Sequence, residues 1–284
     1  MRVFPRGSGP KLRVTDITSV ICNSSMVINA HHFLAKLGQM DAKNIIRDAI
    51  TRVSAQRQTA AADPALSQAV SHIKRIQATR FSASYADLLR SDQYKEAALF
   101  FLEELYSEKD YTLRDAQFAR IAGALERVFP HQVVQTAVSM AQLHGLTEEL
   151  DLAMATQWRL FGDADDASNY VRAWRAVGRR VDRQLQLSAV IEVGRELDRL
   201  TRTPGLRLTL KMMRGPAALA ELGSLQRFLE SGFDTFAAMG RKGQGADFFL
   251  NTVMDRESGV LNRLFDADAV ACETELAHLL GQPR

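Results

Sequence analysis

The chain has 284 residues, 46% of them apolar and 24% charged, which fits a globular protein large enough to bury a core without help from metals or disulfides. Its two cysteines, Cys22 and Cys272, exclude a disulfide framework and any multi-cysteine zinc or iron–sulfur centre. The formal net charge is +3, but residues 1–62 hold nine basic and three acidic residues, so the rest is net acidic and is not drawn toward nucleic acid by its charge.

Residues 1–40 contain Pro5, Gly7, Gly9 and Pro10 and show no helical period, so they read as a poorly ordered or non-native extension, with Met26 and Met40 as alternative starts. The apolar patch from Val20 to Ile28 is interrupted by Cys22, Asn23, Ser24 and Ser25 and makes a poor signal-peptide core. No apolar run reaches the roughly 18 residues of a membrane span, and the expected compartment is the cytoplasm. Residues 41–62 read as a short amphipathic helix and linker, with Ile46, Ala49, Ile50 and Val53 at i, i+3, i+4 and i+7.

From Asp63 the punctuation is that of helices. Asp63-Pro64 is a capping residue followed by proline at the first helical position, and the face Leu66, Ala69, Val70, Ile73 and Ile76 follows, with a kink expected near 81–84 before Leu89. Ser91 or Asp92 caps the next helix, through Leu105. Thr112 to Val128 keeps Phe118, Ile121, Ala122 and Leu125 in phase. Pro130 opens a helix that is expected to end at Gly145, and Thr147 opens another toward Phe161. Two further runs lie at about 167–202 with a break at Gly178, Pro204 and Pro216 each begin a helix, and Ala217–Met239 and Phe248–Phe265 are periodic. The tail, 266–284, carries a last short helix. No alternating strand pattern or hairpin turn is present, so the expected fold is all-α: a bundle of about nine or ten helices without a sheet, its main domain at 63–265.

The stretch Phe100-Phe101-Leu102-Glu103-Glu104-Leu105-Tyr106, then Asp110-Tyr111, then Arg114-Asp115-Ala116-Gln117-Phe118-Ala119-Arg120, resembles the signature of an uncharacterised bacterial family of all-helical proteins, a domain of unknown function. The likeness runs from about Leu66 to Leu250 and includes stretches like Tyr170–Arg199 and Met213-Arg214-Gly215-Pro216. Family members carry Gly-Pro where this chain has Ser107-Glu108. The resemblance implies a helical domain, supplies no catalytic residues, and leaves residues 1–40 outside the domain.

Motifs that would carry chemistry are few. A carboxylate-bridged di-iron bundle needs two Glu-x-x-His pairs, and the chain has one such spacing, Glu275 to His278, so no metal site is expected. His72, His131 and His144 suit helix positions better than haem ligation, with His144 read as a cation next to a helix C-terminus at Gly145. Cys272 sits beside Glu273 and Glu275, which oppose thiolate formation. The glycine-rich 240–245 follows a helix and matches no phosphate-binding pattern, so no cofactor is expected. Two polar constellations stand out. The first is Tyr170, Arg172, Trp174, Arg175, Arg179, Arg180, Asp182, Arg183 and Gln184, where arginine forks interleave with large aromatics. The second is Arg114-Asp115 with Arg120, where Arg114 can reach Glu103 or Glu104 on the preceding helix. The candidate ligand or partner site is therefore Tyr170, Trp174, Arg175, Arg179 and Arg180 with Arg114 and Asp115. Two readings follow. One is a non-enzymatic interaction or regulatory protein with a protein partner or a second copy of itself. The other is a small-ligand or enzymatic bundle with an internal aromatic and arginine-lined site, in which Tyr170, Trp174, Arg175 and Arg179 converge on a buried cavity.

Overall fold

The computed structural model describes residues 42–107, 109–161, 165–240 and 244–282, which belong to one compact unit beginning at Ala42. Among these residues there are thirteen helices and no strand, ten of the helices longer than seven residues. They are α1 (Ala42–Ala61), α2 (Pro64–Ser84), α3 (Ala86–Leu89), α4 (Lys95–Leu105), α5 (Thr112–Val128), α6 (His131–Trp158), α7 (Asp166–Val177), α8 (Arg180–Thr201), α9 (Leu206–Met212), α10 (Arg214–Leu219), α11 (Gly223–Met239), α12 (Gly245–Asp266) and α13 (Ala269–Leu279). None is long and apolar enough to cross a membrane. The expected extension 1–40, with Cys22, His31 and His32, lies outside the described residues, as do 241–243 of the glycine-rich turn.

Local chemistry sets most boundaries. The Asp63 carboxylate accepts from the backbone N–H groups of Ala65 and Leu66, and Pro64 supplies the pre-set first helical position of α2. Ser91 Oγ accepts from the N–H groups of Gln93 and Tyr94 ahead of α4. Gly178 ends α7 at φ +63°, a left-handed conformation that glycine adopts without steric cost. Asp268 caps α13 through Ala271 N–H. The expected kink near 81–84 is a full break at Tyr85, whose ring is buried against Phe81.

Pro216 stands third in α10 rather than opening it, and two larger expectations fail. The helix from Pro130 does not end at Gly145; α6 runs on unbroken for 28 residues. A glycine inside a helix costs only about 1 kcal/mol relative to alanine, and at Gly145 the bare backbone faces α1, where an added Cβ would lie 3.8 Å from the Ala49 carbonyl oxygen. That is an ordinary van der Waals distance, so the α1–α6 contact would accommodate an alanine here as well. Likewise the period over 217–239 is interrupted: α10 stops at Leu219, Glu221 takes φ +54°, and α11 begins at Gly223.

The segment read as helix and linker, 41–62, forms the single helix α1 from Ala42. It buries Ile45, Ile46, Ala49, Ile50 and Val53 against α5 and α6. The tail helix α13 buries Cys272, Leu276 and Ala277 in a cluster shared with α2, α6, α7 and α12. A second cluster joins the end of α2 to α3, α4, α8, α11 and α12 around Phe81, Tyr85, Phe249 and Leu250. Helices α6 and α8 run through the middle of the unit, and α4, α5, α9 and α11 close over the space beside them.

Candidate functional site

That space is a cavity of about 210 Å³. Its wall is largely apolar: Phe100 and Leu105 from α4, Phe118 and Leu125 from α5, Val133 and Met140 from α6, Val193 and Leu197 from α8, Leu210 from α9, and Phe228 and Phe233 from α11. It is larger than the engineered apolar cavity of about 150 Å³ that stays dry and takes up benzene.

One end of the cavity is charged. Arg57 of α1 donates to Asp115 Oδ2 at 2.8 Å and to Glu148 Oε1 at 3.0 Å, and Lys74 of α2 donates to both Glu148 oxygens at 3.0 and 3.1 Å. His144 Nε2 lies 2.8 Å from Asp115 Oδ2 and 3.3 Å from Arg57 Nη2. Burial pushes both carboxyls up, but His144, Arg57 and Arg114 outweigh it at Asp115, and Lys74 and Arg57 outweigh it at Glu148, so both are held below the usual carboxylate range. Arg114 is clamped beside them: it pairs with Glu104, and its guanidinium lies 3.9 Å from the Tyr111 ring centroid and 4.6 Å from that of Phe228.

A second cavity, about 90 Å³, adjoins the first, with Phe101, Leu105, Thr147 and Val190 lining both. Its own wall is more polar and includes Gln77, Arg80, Tyr106, Tyr170, Trp174, Arg183 and Gln186. Arg80 is satisfied, donating to both oxygens of Glu257 at 2.9 and 2.8 Å while Tyr85 Oη donates to the same carboxylate. Arg183 is not. Its Nη1 donates to Gln186 Oε1 at 3.1 Å, its guanidinium lies 4.4 Å from the Trp174 ring centroid, and its Nη2 is buried without a hydrogen-bond partner. Trp174 Nε1 is buried and, like Arg183 Nη2, has no hydrogen-bond partner among the described residues. Burial lowers the Arg183 pKa against the attraction of Tyr170 and Asp151, and burial raises that of Asp151, which accepts from Gln77 Nε2 at 3.1 Å. Both shifts are what a low-dielectric setting does to charges that lack close counterions.

The residues singled out from the sequence thus divide. Tyr170 and Trp174 line the smaller cavity, and Arg114 and Asp115 line the larger. Arg175, Arg179 and Arg180 line neither. Arg175 donates to the Leu264 and Ala267 carbonyls and caps the C-terminal end of α12. Arg179 pairs with Glu149 and Asp182, and Arg180 with Asp266, all at partly exposed positions. The expected convergence of Tyr170, Trp174, Arg175 and Arg179 does not occur, because residues 175, 179 and 180 fall on other faces around the Gly178 break. Arg114 does reach Glu104, and Asp115 does stand in the first turn of α5, although it is buried. Arg120 donates to the Glu221 carbonyl and ties α5 to the turn before α11.

Arg57, Lys74, Glu148 and Asp151 went unrecognised. Arg57 belongs to the basic N-terminal segment by sequence, and Glu148 lies inside the unbroken α6 rather than in a helix opened by Thr147. His144, read as a cation at a helix end, is instead mid-helix and bound into the charged cluster. Of the other metal and nucleophile candidates, Glu275 pairs with Arg263 and the Cys272 thiol donates to the Arg263 carbonyl. Among the described residues no three His, Cys, Asp or Glu are grouped to hold a metal ion.

A family model matches residues 56–271, three quarters of the chain. The chain belongs to the family described as Domain of unknown function (DUF8198). The DUF8198 match begins within α1 and ends within α13, so every residue lining the two cavities lies inside it. No curated protein and no solved structure matches the chain.

Proposed function

We propose that this DUF8198 protein binds a small, elongated, mainly apolar molecule inside its helical bundle. The observation that carries the reading is the cavity of about 210 Å³ between α4, α5, α6, α8, α9 and α11. Its apolar walls come from six separate helices, and removing apolar surface from water is worth about 25 cal/mol per Å² to a ligand that fills such a space. A protein built only to present an outer surface gains nothing from a deep apolar recess between its helices, since the lining residues forfeit packing contacts. This favours the internal-ligand reading over a purely surface-directed interaction protein.

A catalytic variant of this reading has one observation in its favour, the Asp115–His144 pair at the charged end. Both close contacts of His144 fall on Nε2, which donates to Asp115 when protonated there and accepts from Arg57 when it is not. That nitrogen is committed within the cluster, so binding is the better-supported function.

The test is saturable uptake of a neutral fluorescent probe, N-phenyl-1-naphthylamine, with emission rising to one equivalent and falling when dodecanol competes. Ala137→Phe, on the α6 wall, fills the space and is expected to abolish uptake while leaving the circular dichroism spectrum unchanged. Uptake that does not saturate, or that Ala137→Phe leaves intact, would overturn the assignment.

A further inference from the structure

We infer that the ligand is an amphipathic carboxylate, its head group held in the smaller cavity by Arg183 Nη2 and Trp174 Nε1 while its apolar chain extends into the larger one. The inference rests on the internal-ligand reading and specifies the chemistry of that ligand.

The observations are independent of the apolar cavity. Buried donors in folded proteins nearly always find an acceptor, and a donor without one costs about 1–3 kcal/mol, more if charged. Here two such donors, one of them a guanidinium that is only 6% exposed, line the same polar cavity of about 90 Å³. The charge balance points the same way. Arg80 is neutralised by Glu257 in contact, whereas among the described residues no carboxylate makes an ion pair with Arg183. Asp151 acts on Arg183 only through space, and its own hydrogen bond is to Gln77. Arg183 is thus offset only through space and has no acceptor in contact, which leaves room for one added negative charge rather than two. Two separate N–H donors suit the two oxygens of a carboxylate, each of which accepts from one. The guanidinium is already fixed by stacking on Trp174 and by its bond to Gln186, so little rotamer entropy is lost when the anion arrives. Continuity supplies the rest: Phe101, Leu105, Thr147 and Val190 line both cavities, so a chain leaving the head site passes directly between apolar walls.

The experiment uses the full chain at pH 8 with Trp158→Phe, which leaves Trp174 as the sole tryptophan of the two in the sequence. Three compounds are titrated: dodecanoate, dodecanol and inorganic phosphate. Displacement of the neutral probe reports chain binding, and Trp174 emission reports occupancy of the head site. Dodecanoate is expected to bind at least about tenfold more tightly than dodecanol, as one charge-assisted contact in a dry site warrants. It alone is expected to shift Trp174 emission. Arg183→Met should erase that preference by weakening dodecanoate, and keep or raise the melting temperature of the unliganded protein. Equal binding of acid and alcohol would overturn the head-group site while leaving the cavity reading intact. Failure of both compounds to displace the probe would overturn both. An Arg183-dependent response to phosphate equal to that of dodecanoate would show an anion site without a chain, which also refutes the amphiphile. A large fall in melting temperature for Arg183→Met would show that the arginine holds the fold rather than a ligand.

Discussion

Replacing Arg57 by methionine tests the charged end of the cavity, because the change keeps the apolar stem and removes only the guanidinium. Arg57 makes contacts of 2.8 Å to Asp115 and 3.0 Å to Glu148, carboxylates whose side chains are 6% and 8% exposed. Hydrogen bonds to charged groups contribute about 1.5–3 kcal/mol each. Neither carboxylate is orphaned by the change, since Asp115 keeps His144 and Glu148 keeps Lys74. Arg57 is itself a quarter exposed. The expected loss is therefore about 2–4 kcal/mol, at the lower side of the roughly 3–5 kcal/mol of a buried pair broken outright. Chemical denaturation at pH 7 reads this as a lower midpoint at unchanged slope. The pH dependence follows from the carboxyls, whose folded pKa values lie below their unfolded ones. Their contribution is full above the ordinary range of about 4 and is lost as pH falls through the depressed folded values. In the variant those values move back up, so the gap between the two proteins is widest near neutral pH and closes in acid. A difference under about 0.5 kcal/mol at pH 7, the size of an ordinary surface change, would refute the network's role, as would a gap that persists unchanged in acid.

Two further variants probe the frame around the site. Ile46→Ala removes a fully buried side chain from the α1 face and is expected to cost about 2–5 kcal/mol in thermal or denaturant unfolding; a cost below about 1 kcal/mol would mean that α1 does not fold with the rest. Gly194→Ala places a Cβ 2.5 Å from Leu250 Cδ2, where α8 crosses α12, and Leu250 is itself fully buried. Forcing the two helices apart is expected to cost about 1–3 kcal/mol, and a neutral or stabilising result would contradict the close crossing.

The sequence determined the elements. The Asp63-Pro64 cap, the glycine at 178 and the apolar periods are local signals, because a helix end must satisfy its own first or last backbone groups within a few residues. They specified an all-α chain and most of its boundaries. The sequence went wrong at Gly145, where a glycine suited a helix end but the helix runs through it, packed against α1. The site was legible only in part. Tyr170, Trp174, Arg114 and Asp115 were visible as aromatics and charges at helical spacing, yet spacing along one helix cannot show which arginine faces a neighbour. Arg175, Arg179 and Arg180 found partners on α12, α6 and within α8, whereas Arg183, one helical turn further on, was buried against Trp174 without a counterion. Tertiary structure alone decided that Arg57, Lys74, Asp115, His144 and Glu148, spread over more than ninety residues and four helices, share one cluster. Pairing of this kind depends on how helices cross, and the sequence records the surfaces of helices but not their crossings.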